Sequence, residues 1–72
     1  MPTLQFQLTT EHIALCDLLK LTGLADSGGQ AKAFIAAGEV QVDGHTDTRK
    51  TAKIRAGQSV ECHGTRIQVA GQ

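Results

Sequence analysis

The sequence contains no tryptophan and no tyrosine, and its only aromatic residues are two phenylalanines, Phe6 and Phe34. A platform for stacking single-stranded bases needs exposed aromatic faces. Both phenylalanines fall at positions patterned as apolar, so the composition argues against base stacking. An excess of charge of one sign is also missing: seven Lys and Arg balance seven Asp and Glu. A strongly basic coat is thereby excluded. Two cysteines, Cys16 and Cys62, are too few for a disulfide framework. No apolar run is long enough to cross a membrane. The start, Met1-Pro2-Thr3-Leu4, lacks the basic and apolar regions of a secretory signal. A cytoplasmic location, with both thiols reduced, is therefore expected. Internal repeats, low-complexity tracts and linkers are absent too. A chain of 72 residues and 7.6 kDa should then form one small domain, residues 1–72, with residues 1–10 as a first strand or arm.

The zero net charge hides an asymmetry. Between Thr48 and Gln58 stand four cations, Arg49, Lys50, Lys53 and Arg55, and no acid. The acids are elsewhere: Glu11, Asp17, Asp26, Glu39, Asp43, Asp47 and Glu61. A local patch can attract an anion even where the whole chain is neutral.

Leu4, Phe6 and Leu8 alternate with polar residues, the period of a strand with one buried face. Thr9 or Thr10 offers an N-cap, and Glu11 suits a first helical turn. Ile13, Leu15, Cys16, Leu18, Leu19 and Leu21 continue as an apolar helical stripe, and Gly23 supplies a stop. The pattern predicts a first helix over Glu11 to Thr22. Ser27 followed by Gln30 has the spacing of a capping box, Ala31, Phe34 and Ile35 form an inward face, and Gly38 ends a second helix. Val40 and Val42 alternate before an Asp43-Gly44 turn, with Ala52 and Ile54 as candidates for the returning strand. Val60 and Cys62 alternate before a His63-Gly64 turn, and Ile67 and Val69 alternate after it. The expected class is α+β, two short helices packed on a small, mostly antiparallel sheet.

A capped helix start, a short hairpin and then positive charge present backbone donors and cations to a phosphate surface, which makes RNA the leading partner. Other chemistries fit poorly. His12 and Cys16 share a helical side, but Cys62 and His63 are adjacent on a strand and face apart, matching no usual zinc spacing. No nucleophile-elbow spacing surrounds Ser27 or Ser59, and no Gly-Lys-Ser/Thr follows the Gly28-Gly29 pair as a P-loop requires. Neither an enzyme, a metal nor a cofactor is expected. The two cysteines read as small core hydrophobes.

The order of pieces resembles a known family. Leu15-Cys16-Asp17-Leu18-Leu19-Lys20, Gly23-Leu24, Ser27 with Ala31-Lys32, Ile35, Gly38-Glu39-Val40, Val42-Asp43-Gly44, Arg49-Lys50, Lys53-Ile54 and Ala56-Gly57-Gln58 together resemble an S4-type RNA-binding domain. More narrowly, they resemble the stand-alone bacterial S4-like proteins of the YbcJ type. The resemblance covers almost the whole chain and implies an αL-type fold that binds structured RNA. One position departs from the family pattern: the arginine that many S4 domains carry after the cap serine is here Gly28, followed by Gly29.

The RNA-binding residues expected on this basis are Lys20, Ser27, Gly28, Gly29, Lys32, Arg49, Lys50, Lys53 and Arg55. Double-stranded RNA is read mainly by shape and backbone, which suits a chain with few aromatics. The expected partner is structured RNA, ribosomal or a stem-loop, bound by a monomer without a membrane. The alternative is a protein-interaction module on an S4-like scaffold with little RNA affinity, favoured by the zero net charge and by Gly28.

Overall fold

The computed structural model describes residues 2–71. In chain order the elements are β1 (Thr3–Gln7), β2 (Ile13–Ala14), α1 (Leu15–Leu21), α2 (Gly28–Ala36), β3 (Val40–Val42), β4 (His45–Thr46), β5 (Lys53–Ile54), β6 (Ser59–Cys62) and β7 (Thr65–Ala70). Five strands form one sheet in the order β1-β7-β6-β3-β4; β2 and β5 make a separate two-stranded pairing. Every pairing is antiparallel except β1 with β7, which is parallel.

α2 forms where its own sequence directs it. Ser27 takes an extended conformation and its Oγ accepts the Gln30 amide at 3.1 Å. The Gln30 side chain reaches back to the amide of Asp26, one residue before the cap, so the capping box closes a residue early. At the other end Gly38 has φ of 78°. Its amide donates to the Ile35 carbonyl and the Glu39 amide to that of Phe34, the paired bonds of a Schellman stop. Ser27→Ala removes the only side-chain acceptor of the first turn among the described residues. It should lower stability by about 1 kcal/mol, read as a lower melting temperature; an unchanged melt would mean that Ser27 does not hold this end.

α1 begins at Leu15, four residues later than the predicted start at Glu11. Ile13 and Ala14 pair with Ile54 and Lys53 as a strand, and Ala14 occupies the N-cap without a side-chain bond. The first-turn amides find acceptors far along the chain: Leu15 donates to the Ala52 carbonyl at 2.9 Å and Cys16 to that of Lys50 at 3.1 Å. Thr10 is not the cap; its hydroxyl donates to the His12 carbonyl. Leu21, counted in the stripe, lies outside the core at 65% exposure. Gly23, with φ of 83°, follows the helix as expected.

The hairpins follow their turn chemistry. Asp43 and Gly44 both have positive φ, as do His63 and Gly64; that is the two-residue turn whose twist matches paired strands. The partner of β3 therefore starts at once, at His45, and not at Ala52 and Ile54. Ile54 is instead buried in the core and paired with Ile13 of β2. The core joins Leu15, Leu18 and Leu19 of α1, Ala31 and Ile35 of α2, and the inward residues Val40, Val60, Cys62, Ile67 and Val69 of the sheet.

Asp43 also clips its turn to the next strand. Its carboxylate accepts the Ser59 amide at 2.9 Å and the Gln58 side chain at 3.1 Å. The Ser59 bond first, and the Gln58 bond second, hold its pKa below the ordinary value of 3.8. A carboxyl whose pKa falls on folding adds stability above its unfolded value and loses it as pH drops through the folded one. Melting temperature should therefore fall as pH decreases from about 5 through the acid range. Asp43→Asn should flatten that dependence; an equal slope in the variant would remove Asp43 from the account.

Candidate nucleic-acid interface

Charge in this molecule is sorted by residue type. The three arginines are each matched to a carboxylate. Arg49 forks onto Asp47, with Nε donating to Oδ1 at 3.1 Å and Nη2 to Oδ2 at 2.8 Å. Arg55 meets Glu11 at 3.3 Å, and Arg66 on β7 meets Glu61 on β6 at 2.9 Å. The four lysines, Lys20, Lys32, Lys50 and Lys53, form no ion pair among the described residues, and all four are exposed.

These lysines stand on the helix pair or on the segment tied to it. The Lys50 carbonyl accepts the Cys16 amide, and Lys53 pairs with Ala14, so both are fixed at the start of α1. Lys20 is four residues beyond Cys16, hence one turn, about 5.4 Å, along the same side of the helix. Arg49 and Lys53, with Thr51 and Ala52, line one shallow concavity in this segment.

Lys32 stands four residues after Gly28 and three after Gly29, so the three share one strip of α2. A helical side chain leans towards the N-terminus, which carries the Lys32 ammonium towards the glycines. The amides of Gly28 and Gly29 have no protein acceptor among the described residues. Neither glycine has a positive φ. A Cβ on Gly28 would meet nothing within 4 Å, and one on Gly29 only Ser27 Oγ at 3.9 Å. The fold thus does not require glycine at either position, and the two amides have no protein acceptor among the described residues.

The expected site residues thereby divide. Gly28, Gly29 and Lys32 lie together, with Ser27 engaged as cap. Lys50 and Lys53 stand at the start of α1, and Lys20 lies in its last turn. Arg49 lies with them, but Asp47 engages its guanidinium. Arg55 is turned to Glu11. Against the free lysines stand Asp17 on α1 and Asp26 before α2, neither in an ion pair among the described residues.

Sequence reasoning missed the part of Asp47, although its signal was close by. The residue sits two before Arg49, and its carboxylate accepts that residue's amide as well as its side chain. The Arg49 side-chain hydrogen bond is the main cause holding the Asp47 pKa below its ordinary value. It also missed a cluster at the opposite end of α2, where His63 is bonded to Glu39 and packs edge-on against Phe34 with ring centroids 4.4 Å apart. Cys62 beside it is buried, and burial, followed by the Glu39 charge, pushes its thiol pKa up. A thiol so held is a poor nucleophile and a poor metal ligand. Both cysteines lie in the core, as the composition suggested.

Comparison with known proteins identifies the family and the fold. A family model described as S4 domain matches residues 6–70. The putative RNA-binding protein YbcJ of Escherichia coli strain K12 is 57% identical over 58 residues, covering 81% of this chain and 83% of its own length. The probable ribosome maturation protein RlbA of Bacillus subtilis strain 168 is 42% identical over 55 residues, 76% of this chain and 78% of its own. Among solved structures, the solution structure of E. coli YbcJ, described as revealing an αL motif involved in RNA binding, superposes with a TM-score of 0.69. That pair is 50% identical, and the match covers 97% of this chain and 87% of that one. In sequence over nearly its whole length, and in the packing of two short helices on its sheet, the chain belongs to the S4 domain family.

Proposed function

We propose that this protein binds structured RNA through backbone phosphates, using the open start of α2 and the lysines gathered on and beside α1. The observation that carries this reading is the sorting of charge. Among the described residues the Lys and Arg side chains left without a carboxylate are all lysines, and all stand on the helix pair or on the segment fastened to it. Lysine acts as a mobile point charge and does not demand the planar match that a guanidinium makes with a phosphate. Such a surface reads the course of a backbone and not the identity of bases. The names of the relatives point the same way, one to RNA binding and one to ribosome maturation.

Two features support the start of α2 as a phosphate contact. Its free amides and the positive end of the helix dipole favour an anion, and Lys32 lies one turn behind them on the same strip. Glycine in place of the family's arginine exchanges a long-range cation for close backbone approach. The protein-docking alternative calls for a contiguous exposed apolar patch. Among the described residues the exposed large hydrophobics are Leu4 and Leu21, one on an edge strand and one beside Lys20 at the end of α1; two single residues on separate elements do not make such a patch.

Titration of isotope-labelled protein with a short RNA stem-loop, at low and at moderate salt, tests the reading. Amide shifts should concentrate at Ser27–Lys32, Lys20 and Arg49–Lys53 and should shrink as salt rises. Shifts centred on β6 and β7, or insensitive to salt, would refute this surface.

A further inference from the structure

The five-stranded sheet ends on one side in β1, and that edge is open. In the parallel register of β1 with β7, the Pro2 carbonyl accepts the Arg66 amide and the Leu8 amide donates to the Ala70 carbonyl. The backbone groups of Leu4, Phe6 and Leu8 therefore turn inward to β7. Those of Thr3, Gln5 and Gln7 turn outward, where no strand lies.

Proteins usually blunt such an edge with charge, shortness or a covering element. The opposite edge, β4, is two residues long and runs into Asp47. The separate β2–β5 pairing is two residues deep and is flanked by Glu11, Lys53 and Arg55. β1 has five residues, Thr-Leu-Gln-Phe-Gln, with no charge and no proline. Leu4 and Phe6 are in register with the buried Ile67 and Val69 and so share their face of the sheet. At the margin they are incompletely covered: Leu4 is 37% exposed and Phe6 half-buried.

We propose that β1 pairs antiparallel with β1 of a second copy of this chain, about a two-fold axis at Gln5, to give one continuous sheet. The strand is complementary to itself. Centred on Gln5, Thr3 of each copy faces Gln7 of the other, and the outward amides and carbonyls at positions 3, 5 and 7 all find partners. Between them Leu4 of each copy stands opposite Phe6 of the other, in the closer, non-hydrogen-bonded type of pair. Aliphatic–aromatic cross-strand pairs of this kind stabilise sheets, and here the contact covers the apolar surface each copy leaves open. A charged strand would bring like charges together across the axis; this one brings two neutral amides. The seam is a single strand pair, below the size of a standard stable interface, so the association is weak and reversible. This proposal departs from the monomer expected from the sequence, and the seam uses β1 and not the helix pair that carries the lysines.

Sedimentation equilibrium from about 10 μM to about 1 mM covers the range in which so small an interface associates. The weight-average mass should rise from 7.6 kDa towards twice that value; a constant 7.6 kDa throughout overturns the proposal. Gln5→Lys and Gln5→Glu, each checked for an unchanged melt, should both stay monomeric, because each sets like charges opposite one another. Their equimolar mixture should dimerise again. Dimerisation of either variant alone to the wild-type extent would overturn the seam. In a mixed sample of 13C-labelled and unlabelled wild-type protein, contacts between Leu4 methyls and the Phe6 ring of the other copy are expected, and their absence from a dimeric sample would equally exclude this register.

Discussion

Replacing Lys50 and Lys53 together by alanine should weaken binding to a stem-loop roughly 50-fold at 0.1 M salt, because each lost phosphate contact forfeits about 0.9 log units of counterion release at that concentration. The slope of log affinity against log salt should become shallower by about 2. The loss should be nearly the same for stem-loops of unrelated sequence, since phosphate contacts carry no base information. The fold should survive, because both side chains are exposed and it is their backbone that α1 holds. Arg49→Ala is the informative contrast. Asp47 already engages that guanidinium through two hydrogen bonds, so its removal should cost several-fold less than the loss of either lysine. Asp47→Asn should release it and tighten RNA binding. A salt slope unchanged in the lysine double variant would take the segment beside α1 out of the interface, whatever happened at Arg49.

The contrast between the two helices shows where sequence is informative. Everything that defines α2 lies within its own stretch: Ser27 caps it, Gln30 closes the box, Gly38 stops it, and Ala31 and Ile35 mark its buried side. Its limits could therefore be read directly. The start of α1 is decided by carbonyls of Lys50 and Ala52, which no local pattern announces. Once those carbonyls satisfy the first amides, a side-chain cap at Thr9 or Thr10 is unnecessary, and Ile13-Ala14 is free to become a strand. The hairpin after β3 differs in kind. Its turn was legible from Asp43-Gly44, but the returning strand is the polar pair His45–Thr46, which carries no apolar alternation to betray it. Ile54 drew attention because it is apolar, but it is buried in the β2–β5 pairing and not in the hairpin.

The candidate interface was legible as a set of cations, not as a distribution of charge. Counting acids only between Thr48 and Gln58 left Asp47 just outside the window, although an acid two residues from an arginine is a local signal. The pairing of Arg55 with Glu11 spans 44 residues and has no sequence signature at all. Neutralising the arginines changes the character of the surface. What remains is lysine, suited to the phosphate backbone of a folded RNA and poorly suited to bidentate recognition of a base edge.

The double substitution Gly28→Ala and Gly29→Ala should move stability and binding in opposite directions. Alanine is favoured over glycine in a helix by roughly 0.5–1 kcal/mol at each position. Neither residue has a positive φ, and the space where each Cβ would stand is empty or in ordinary contact. The helix should thus gain about 1–2 kcal/mol in total, which for a domain of this size raises the melting temperature by about 5–15 °C. The same two methyl groups would occupy the approach to the free amides at the start of α2. Hydrogen bonds to a charged acceptor contribute about 1.5–3 kcal/mol each, so displacing a phosphate from these amides should weaken RNA binding at least about 10-fold. A rise in melting temperature with unchanged affinity would mean that phosphate does not seat here, and the interface would shrink to the lysines beside α1. A rise in melting temperature joined to loss of affinity would explain why glycines the fold does not require occupy the first turn of α2: they keep its amides open to the ligand at the expense of helix stability.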